Sequence, residues 1–527
     1  MTTKRSASIA AVSAVVLTAA LAGCGSGGGG NGETVEGGTF TQVSSADPGN
    51  LDPQMSAGSA LFDLSKLAYD TLVSVDADGE VRSQLAKEWN VEGTTATLTM
   101  NDGITCSDGT PFTAQTAADN INWVADPENQ SPFLGAFLPP GASAVATDDT
   151  VTITLASPAP FLLLGLSGLP MVCEAGLTDR SALATQTIGT GPYVLTEAVP
   201  SDRYTYELRD EYAWGPGGAG VDEAGIPAEV VVRIVSDGTT AANLLLSGEV
   251  NAAQLTGPDA ERAEGANLFS RQNTAMAGEQ WYNHAEGHPT ADPAVRLALT
   301  QAVDLDELAG VVTAGKGGPA TSLATVDPTV CTYDAVSGAV PEFDVDAAQK
   351  TLDEAGWVEG ADGVREKDGV PLSLTFLYDN DLGAAGAAAA ELAISAWQEI
   401  GVEVDGRQQE ESVLLEALFG TGAWDIGWVT LSVNSPDQVV GFVSGPTPAD
   451  GGSNFSGIQN EEYTAAVAEA SQMDGAEGCD TWKKAETALF EAADLVPFAN
   501  TTVSLFGNGA EFEWLGVIEP TSIRLKG

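Results

Sequence analysis

The sequence predicts an α/β protein in which sheets are covered by helices. Segments with one apolar face at helical spacing alternate with short apolar strands along most of the 527 residues. Hydrophobic residues make up 43% of the chain, which suits a globular body rather than a disordered one. The longest apolar run after the N-terminus, FLLLGLSGLPMV at 161–172, is too short and too interrupted by Gly and Pro to span a bilayer. A chain of this length supplies two or three core-bearing units.

Taken in order, GGTFTQVSSADPGNLDP predicts a short strand and a Pro-punctuated loop. ALFDLSKLAYDTLV puts Leu61, Leu64, Leu67, Ala68 and Leu72 at helical spacing on one face. ATLTMNDGITCSDGTPFTA alternates, turns at Asp108-Gly109 and enters a helix at Thr113, whose hydroxyl suits an N-cap. Strands follow at TVTITLA, YTYELRD and EVVVRIV, between loops such as GPGGAG. A second alternation then runs through PAVRLALTQAVDLDELAGVV, DVDAAQKTLDEAGW, PLSLTFLYD, AAAAELAISAWQEIGVEV and VLLEALFGTGAWDIGWV. The end, from VPFANTTVSLFG to IRLKG, is strand-like again, and no internal repeat is visible.

The N-terminus has a different logic. Lys4 and Arg5 precede an apolar stretch at 7–20 that is too short for a span, the pattern of a secretory signal peptide. It ends in Leu21-Ala22-Gly23-Cys24, which resembles the bacterial lipobox; that resemblance implies a diacylglyceryl group on Cys24 and cleavage just before it. Two acyl chains suffice for stable anchoring, and the Gly-rich residues that follow, 25–36, make a flexible tether. Removing residues 1–24 takes the formal charge from −53 to −55. A surface this acidic argues against nucleic acid and anionic lipid headgroups as partners.

The stretches LAYDTLVSVDADGEVRSQLAKEW and DGITCSDGTPFTAQTAADNINW resemble the extracytoplasmic solute-binding proteins of ABC importers, in the oligopeptide- and dipeptide-binding family. The matching pieces are Leu51-Asp52-Pro53, residues 69–89, residues 107–113, GTGPYVL at 189–195, AVRLALTQAVDLDELAGVVTAGKGGPA and DVDAAQKTLDEAGW; Cys106 stands where an aromatic is common. The resemblance covers nearly the whole chain. It implies a two-lobed periplasmic-binding-protein-like fold of type II, large peptide-binding subclass, with a hinge between lobes. The first lobe would span 37–277 and be completed by 499–527; the second would span 278–498, with crossings near Ala277 and Phe498. It also implies an ABC permease with its ATPase subunits as partner, a monomeric receptor lipid-anchored on the extracytoplasmic face of the cell membrane, and a small solute, first of all a short peptide. With Cys24 lipidated, four cysteines remain, for which three pairings exist. Cys106 with Cys173 and Cys331 with Cys479 keeps each pair within one implied lobe.

A solute held between lobes needs apolar or aromatic walls and a few placed polar groups. The best stretch is GAWDIGWVTLSVNSPDQVVGF, where Trp424 and Trp428 flank a short strand, Thr430 follows it, and Asn434-Ser435-Pro436-Asp437 forms a polar turn. Trp281 and Tyr282, just past the first crossing, are the next candidates; core packing competes with a ligand role for each ring. Peptide-binding relatives often carry an Asp shortly after the GW pair to hold the peptide's α-amino group. Here Gly427-Trp428 is followed by Val429, Thr430 and Leu431, and the first carboxylate is Asp437. Either Asp437 takes that role from a shifted loop or the ligand has no free amine.

Enzyme readings find little support. HAEGH holds the only two histidines, His284 and His288, with Glu286 between them, but Gly287 and Pro289 break the helix that a shared metal would need. GPGGAG matches GxGxxG in form, yet VDEAGIP follows where a helix should open. No GxSxG, SxxK or Walker A pattern occurs, so no cofactor or metal is expected. Glu410-Glu411 and Asp148-Asp149 read as solvated acids. The alternatives that remain are a non-peptide solute, such as a sugar or metal chelate, and a sensor or chaperone on the same fold.

Overall fold

The computed structural model describes residues 34–527, except 57, 58 and 474. The signal segment, Cys24 and the tether up to residue 33 lie outside the described residues. The folded body starts before the expected boundary at Gly37: Thr34 bridges Lys526, and Val35 N donates to Leu525 O at 3.1 Å. The backbone of the C-terminal segment offers these residues partners, so the end of the Gly-rich stretch belongs to the fold.

An eleven-stranded mixed sheet runs through this body. At its centre two long antiparallel strands, Phe269–Tyr282 and Leu495–Gly507, lie side by side. The sheet continues on one side through Ala252–Leu255, Thr39–Ser44, Glu229–Ile234, Arg203–Leu208 and Tyr193–Val199. On the other side come Ile426–Trp428, Ser373–Asp379 and Glu403–Gln409, and the short strand Gly317–Gly318 pairs off this path with Leu495–Gly507. Ala277 and Phe498, where the chain is expected to cross, both lie in the long pair, and its register shifts between Met276 and Glu279. A Cβ on Gly278 would come within 2.2 Å of the Phe498 ring, so glycine is needed where the strands bulge.

In the first lobe, the strands Ala86–Glu92, Thr95–Met100, Thr150–Thr154 and Ser143–Thr147 form a separate antiparallel sheet. The helix Ala114–Ala125 buries Ala117, Ala118, Ile121 and Val124 in the same core. Thr113 caps this helix through Oγ1, which accepts from Thr116 N at 3.2 Å. Leu61, Leu64, Leu67 and Ala68 of the helix Ser59–Ala68 are buried together, and Leu72 is buried beyond its end. Cys106 is bonded to Cys173.

In the second lobe, alternate residues of each strand face opposite cores. Tyr282, Phe376, Ile426, Trp428 and Val496 pack with the helices Pro293–Gln301, Leu305–Val312, Val345–Glu354 and Gly383–Glu399. Trp281, Leu377 and Leu495 point the other way. They meet two helices absent from the sequence reading, Glu461–Ala470 and Cys479–Glu491. Their apolar faces are interrupted by charge, Glu486 lying between Trp482 and Leu489, which blurs the helical period. Cys331 is bonded to Cys479 at the start of the second of these helices.

Candidate functional site

The four predicted aromatics divide between the two faces of the second-lobe sheet. Tyr282 and Trp428 pack with the helices Pro293–Gln301 and Gly383–Glu399, Trp281 and Trp424 with Glu461–Ala470 and Cys479–Glu491, so all four are buried, which corrects the expectation that they form exposed walls of a solute site. Trp428 is 1% exposed, packs against Phe376 and Phe498 at 5.0 and 5.1 Å between ring centroids, and donates from Nε1 to Gln280 Oε1 at 3.1 Å. Tyr282 is fully buried, its hydroxyl 2.9 Å from Thr300 Oγ1. The pleat decides this: Trp281 and Tyr282 are neighbours in one strand and must face opposite ways.

Trp281 and Trp424 share the other face. Both flank Phe455, with centroids at 4.8 and 6.0 Å. Trp281 donates from Nε1 to Val429 O at 2.9 Å, fixing the chain where it leaves the strand Ile426–Trp428. From there a loop carries the half-buried Thr430 to the predicted polar turn. Thr325 N donates to Val433 O at 3.1 Å, and Gln438 Oε1 accepts from Asn434 N at 3.0 Å. Ser435 and Gln438 form a capping box on the turn Pro436–Val439. Asp437 accepts from the Ser435 hydroxyl, and burial pushes its carboxyl up to about 6.

A buried carboxyl group from another strand reaches the loop after Gly427-Trp428. Glu279, on the long strand beside the bulge, places Oε2 2.8 Å from Leu431 N. Burial, helped by the nearby Glu486, pushes it up to about 8. Glu486, pushed by burial up to about 7, accepts from Leu323 N at 3.1 Å and from the Tyr333 hydroxyl at 2.9 Å. Tyr463 is buried beside both Glu486 and Asp437, whose charges add to the desolvation that holds its phenol protonated. Sequence reasoning missed Glu279, Tyr333, Tyr463 and Glu486. A glutamate within the apolar strand segment of EQWY, and another on the Trp482/Leu489 face of a helix, were the signals available.

The lobes also touch away from the joining strands. Phe161 and Leu164 of the first lobe share a cluster with Cys331, Ala470 and Trp482 of the second, the Phe161 and Trp482 rings 6.1 Å apart. Gln438 Nε2 reaches Ala136 O at 3.5 Å. The turn carrying Asp437 therefore faces the first lobe.

The rival motifs resolve into structure. His284 Nε2 lies 3.0 Å from Asp494 O, and His288 Nδ1 lies 2.8 Å from Asp425 Oδ1. The two imidazoles address different partners, and Gly287 takes φ +100° between them. Gly217 and Gly218 also take positive φ, making GPGGAG a turn.

The comparisons agree with this architecture. The family model for bacterial extracellular solute-binding proteins, family 5, matches residues 80–451. The oligopeptide-binding protein OppA of Bacillus subtilis is 24% identical over 92% of each chain. The nickel-binding periplasmic protein of Escherichia coli is 26% identical over 69% of this chain and 70% of its own. A substrate-binding protein of Microbacterium hydrocarbonoxydans, solved with 4-hydroxybenzoate hydrazide, superposes with a TM-score of 0.75 at 26% identity, covering 93% of this chain and 100% of that one. These relatives are solute-binding proteins, not enzymes. With a family match over more than half its length and two α/β lobes on a shared sheet, this chain belongs to the family 5 extracellular solute-binding proteins, which serve ABC importers.

Proposed function

We propose that this protein is a lipid-anchored receptor that captures short peptides outside the membrane and presents them to an ABC permease. The observation that supports the reading best is the joining of two lobes by the long strands Phe269–Tyr282 and Leu495–Gly507, with apolar and polar groups of both lobes meeting across the space between them. Lobes joined in this way close by bending at a few strand residues, and a permease reads the closed shape. The lobe limits proposed here are 37–277 with 499–527, and 278–498. Asn434, Thr430, Asp437, Trp281 and Trp424 belong to the proposed solute wall, and Glu279 joins them.

The anchor rests on Cys24, Lys4, Arg5 and the apolar residues between. It would hold the receptor near its transporter and raise the effective concentration there. Among the described residues no helix is long and apolar enough to cross a membrane. A Cys24→Ala variant is expected to appear in the culture medium instead of the membrane fraction; retention in the membrane would overturn the anchor.

The ligand is tested by expressing residues 33–527, unfolding gently to strip carried solute, and identifying what is released by mass spectrometry. Short peptides are expected. A second reading, a non-peptide solute, is favoured by the missing Asp after Gly427-Trp428 and by the hydrazide bound to the Microbacterium relative. A released non-peptide solute, with no thermal shift from peptide mixtures, would replace the first reading by the second.

A further inference from the structure

Three carboxyl groups lie together on the Trp281/Trp424 face of the second lobe: Glu279 on the long strand, Glu486 on the helix Cys479–Glu491, and Asp437 on the turn beside the first lobe. They are linked through Tyr463, which feels both Glu486 and Asp437, and through Glu486, which acts on Glu279. Among the described residues none of the three has an ion pair. The groups that bond to them or act on them are neutral or acidic: Tyr333, Tyr463, Ser435, Gln438, Trp281 and the backbone N–H groups of Leu323 and Leu431. A buried carboxylate without a counter-ion is costly, so such groups keep their protons until a cation arrives.

Unpartnered polar atoms mark the same place. Glu279 is fully buried, and while Oε2 is held by Leu431 N, Oε1 makes no hydrogen bond of good geometry, the Trp281 indole N–H beside the carboxyl being turned to Val429 O. Thr325 Oγ1, whose backbone N–H bonds Val433 O, and Asn434 Oδ1 of the same loop are also buried without partners, as is Trp424 Nε1 on the same face of the sheet. Buried polar atoms of folded proteins are rarely left so, and those of Glu279, Thr325 and Asn434, all tied to one loop, point to a ligand that engages them.

We propose that Glu279 is the specificity-determining carboxylate of the solute site, taking a protonated amino group of the solute against Oε1 and releasing its own proton to solvent. This rests on the receptor reading and names the solute class: peptides, or other solutes, that carry a free amine. The ammonium donates to Oε1 while Leu431 N keeps Oε2, so the carboxylate that the GW-following position lacks is supplied across the sheet by the neighbouring long strand. Glu486 and Asp437 are positioning residues that raise the local demand for positive charge. Capture is thus an exchange of a proton for a cation, weaker in acid, where Glu279 keeps its proton, and weaker again in base, where the peptide amine loses its own.

The test uses the stripped protein with two probes: a mixture of tri- to pentapeptides lacking Lys and Arg, and the same mixture N-acetylated. Retained peptides are identified by mass spectrometry, then the best binder is titrated calorimetrically in two buffers of different ionisation enthalpy. The expected result is retention of free-amine peptides only, release of about one proton per peptide at pH 7, and affinity that falls as the pH is lowered from 8 to 5.5. Glu279→Gln keeps the shape and the Leu431 contact but is expected to lose about tenfold to a hundredfold in affinity and to abolish the proton release. The calorimetry on the unsubstituted protein decides the question even if the variant does not fold. Equal retention of acetylated peptides, or binding without proton release, would overturn the role of Glu279 and leave the peptide receptor standing. Failure of both mixtures would overturn the peptide ligand instead. The solute released on stripping then decides for Glu279: a basic one that releases a proton on rebinding keeps the proposal, and an amine-free one ends it.

Discussion

A buried side chain in this protein is explained by its partners more than by its type. Asp70 accepts from Gln84 Nε2 at 2.7 Å, Tyr212 Oη at 2.8 Å and Trp214 Nε1 at 3.0 Å. Asp70→Ala would orphan the Gln84 and Tyr212 donors and leave Trp214 Nε1 only its bond to Thr190 O at 3.2 Å, and the variant is expected to lose about 2–3 kcal/mol or more in denaturant unfolding. Trp428 is packed with the helices Pro293–Gln301 and Gly383–Glu399, so Trp428→Ala should cost about 3–5 kcal/mol while Trp428→Phe leaves solute affinity unchanged in a direct titration. A large affinity loss in Trp428→Phe would return that ring to the solute wall. Such assignments were only half legible: the GW pair and the polar turn drew attention to the right loop, but which way each ring points depends on the pleat.

At the scale of elements, the long strand pair and the two disulfides fix the frame. Gly278 sits where the register shifts, with the Phe498 ring against it. Gly278→Ala must displace that ring, and a lower Tm is expected together with altered solute affinity, since the next residue is Glu279. The bond between Cys331 and Cys479 joins residues 148 apart and underlies the second-lobe side of the contact with Phe161. Replacing both cysteines by serine should cost about 2–5 kcal/mol, read as a drop in unfolding midpoint. The helices Ala114–Ala125 and Gly383–Glu399 were legible because their apolar residues recur at helical spacing. The helix Cys479–Glu491 was not, because Glu486 occupies a buried position on its apolar face.

For the whole molecule, charge and protonation set the stability. Burial pushes Glu279 up to about 8 and Glu486 up to about 7 in the folded chain. Unfolding at pH 6.5–8 therefore releases protons, and stability contributed by the protonated acids is lost as pH rises through that window. His284, held down to about 3 by burial and by Arg296, has the opposite sign, but it acts only below its ordinary value of 6.5. The unliganded protein is thus expected to be less stable at pH 8 than at pH 6.5 by an amount on the order of 2 kcal/mol, read as a lower melting temperature. In Glu279→Gln that slope should be shallower. Small-angle scattering should show a smaller radius of gyration with solute than without, as lobes joined by two strands close on it.

The sequence by itself determined the α/β class, the two-lobed family, the motif at its start that resembles a lipobox, and the loop that carries the candidate site. These follow from local periodicity, short-range turn chemistry and ordered motifs, which are properties of neighbouring residues. Only the tertiary structure decided on which face of the sheet each of the four buried aromatics packs. It alone placed Glu279 against Leu431 N, 152 residues after it in the chain, and set Tyr333 and Tyr463 beside Glu486. The physical reason is that burial and electrostatic coupling belong to groups brought together from distant parts of the chain, and no periodicity within a segment records them.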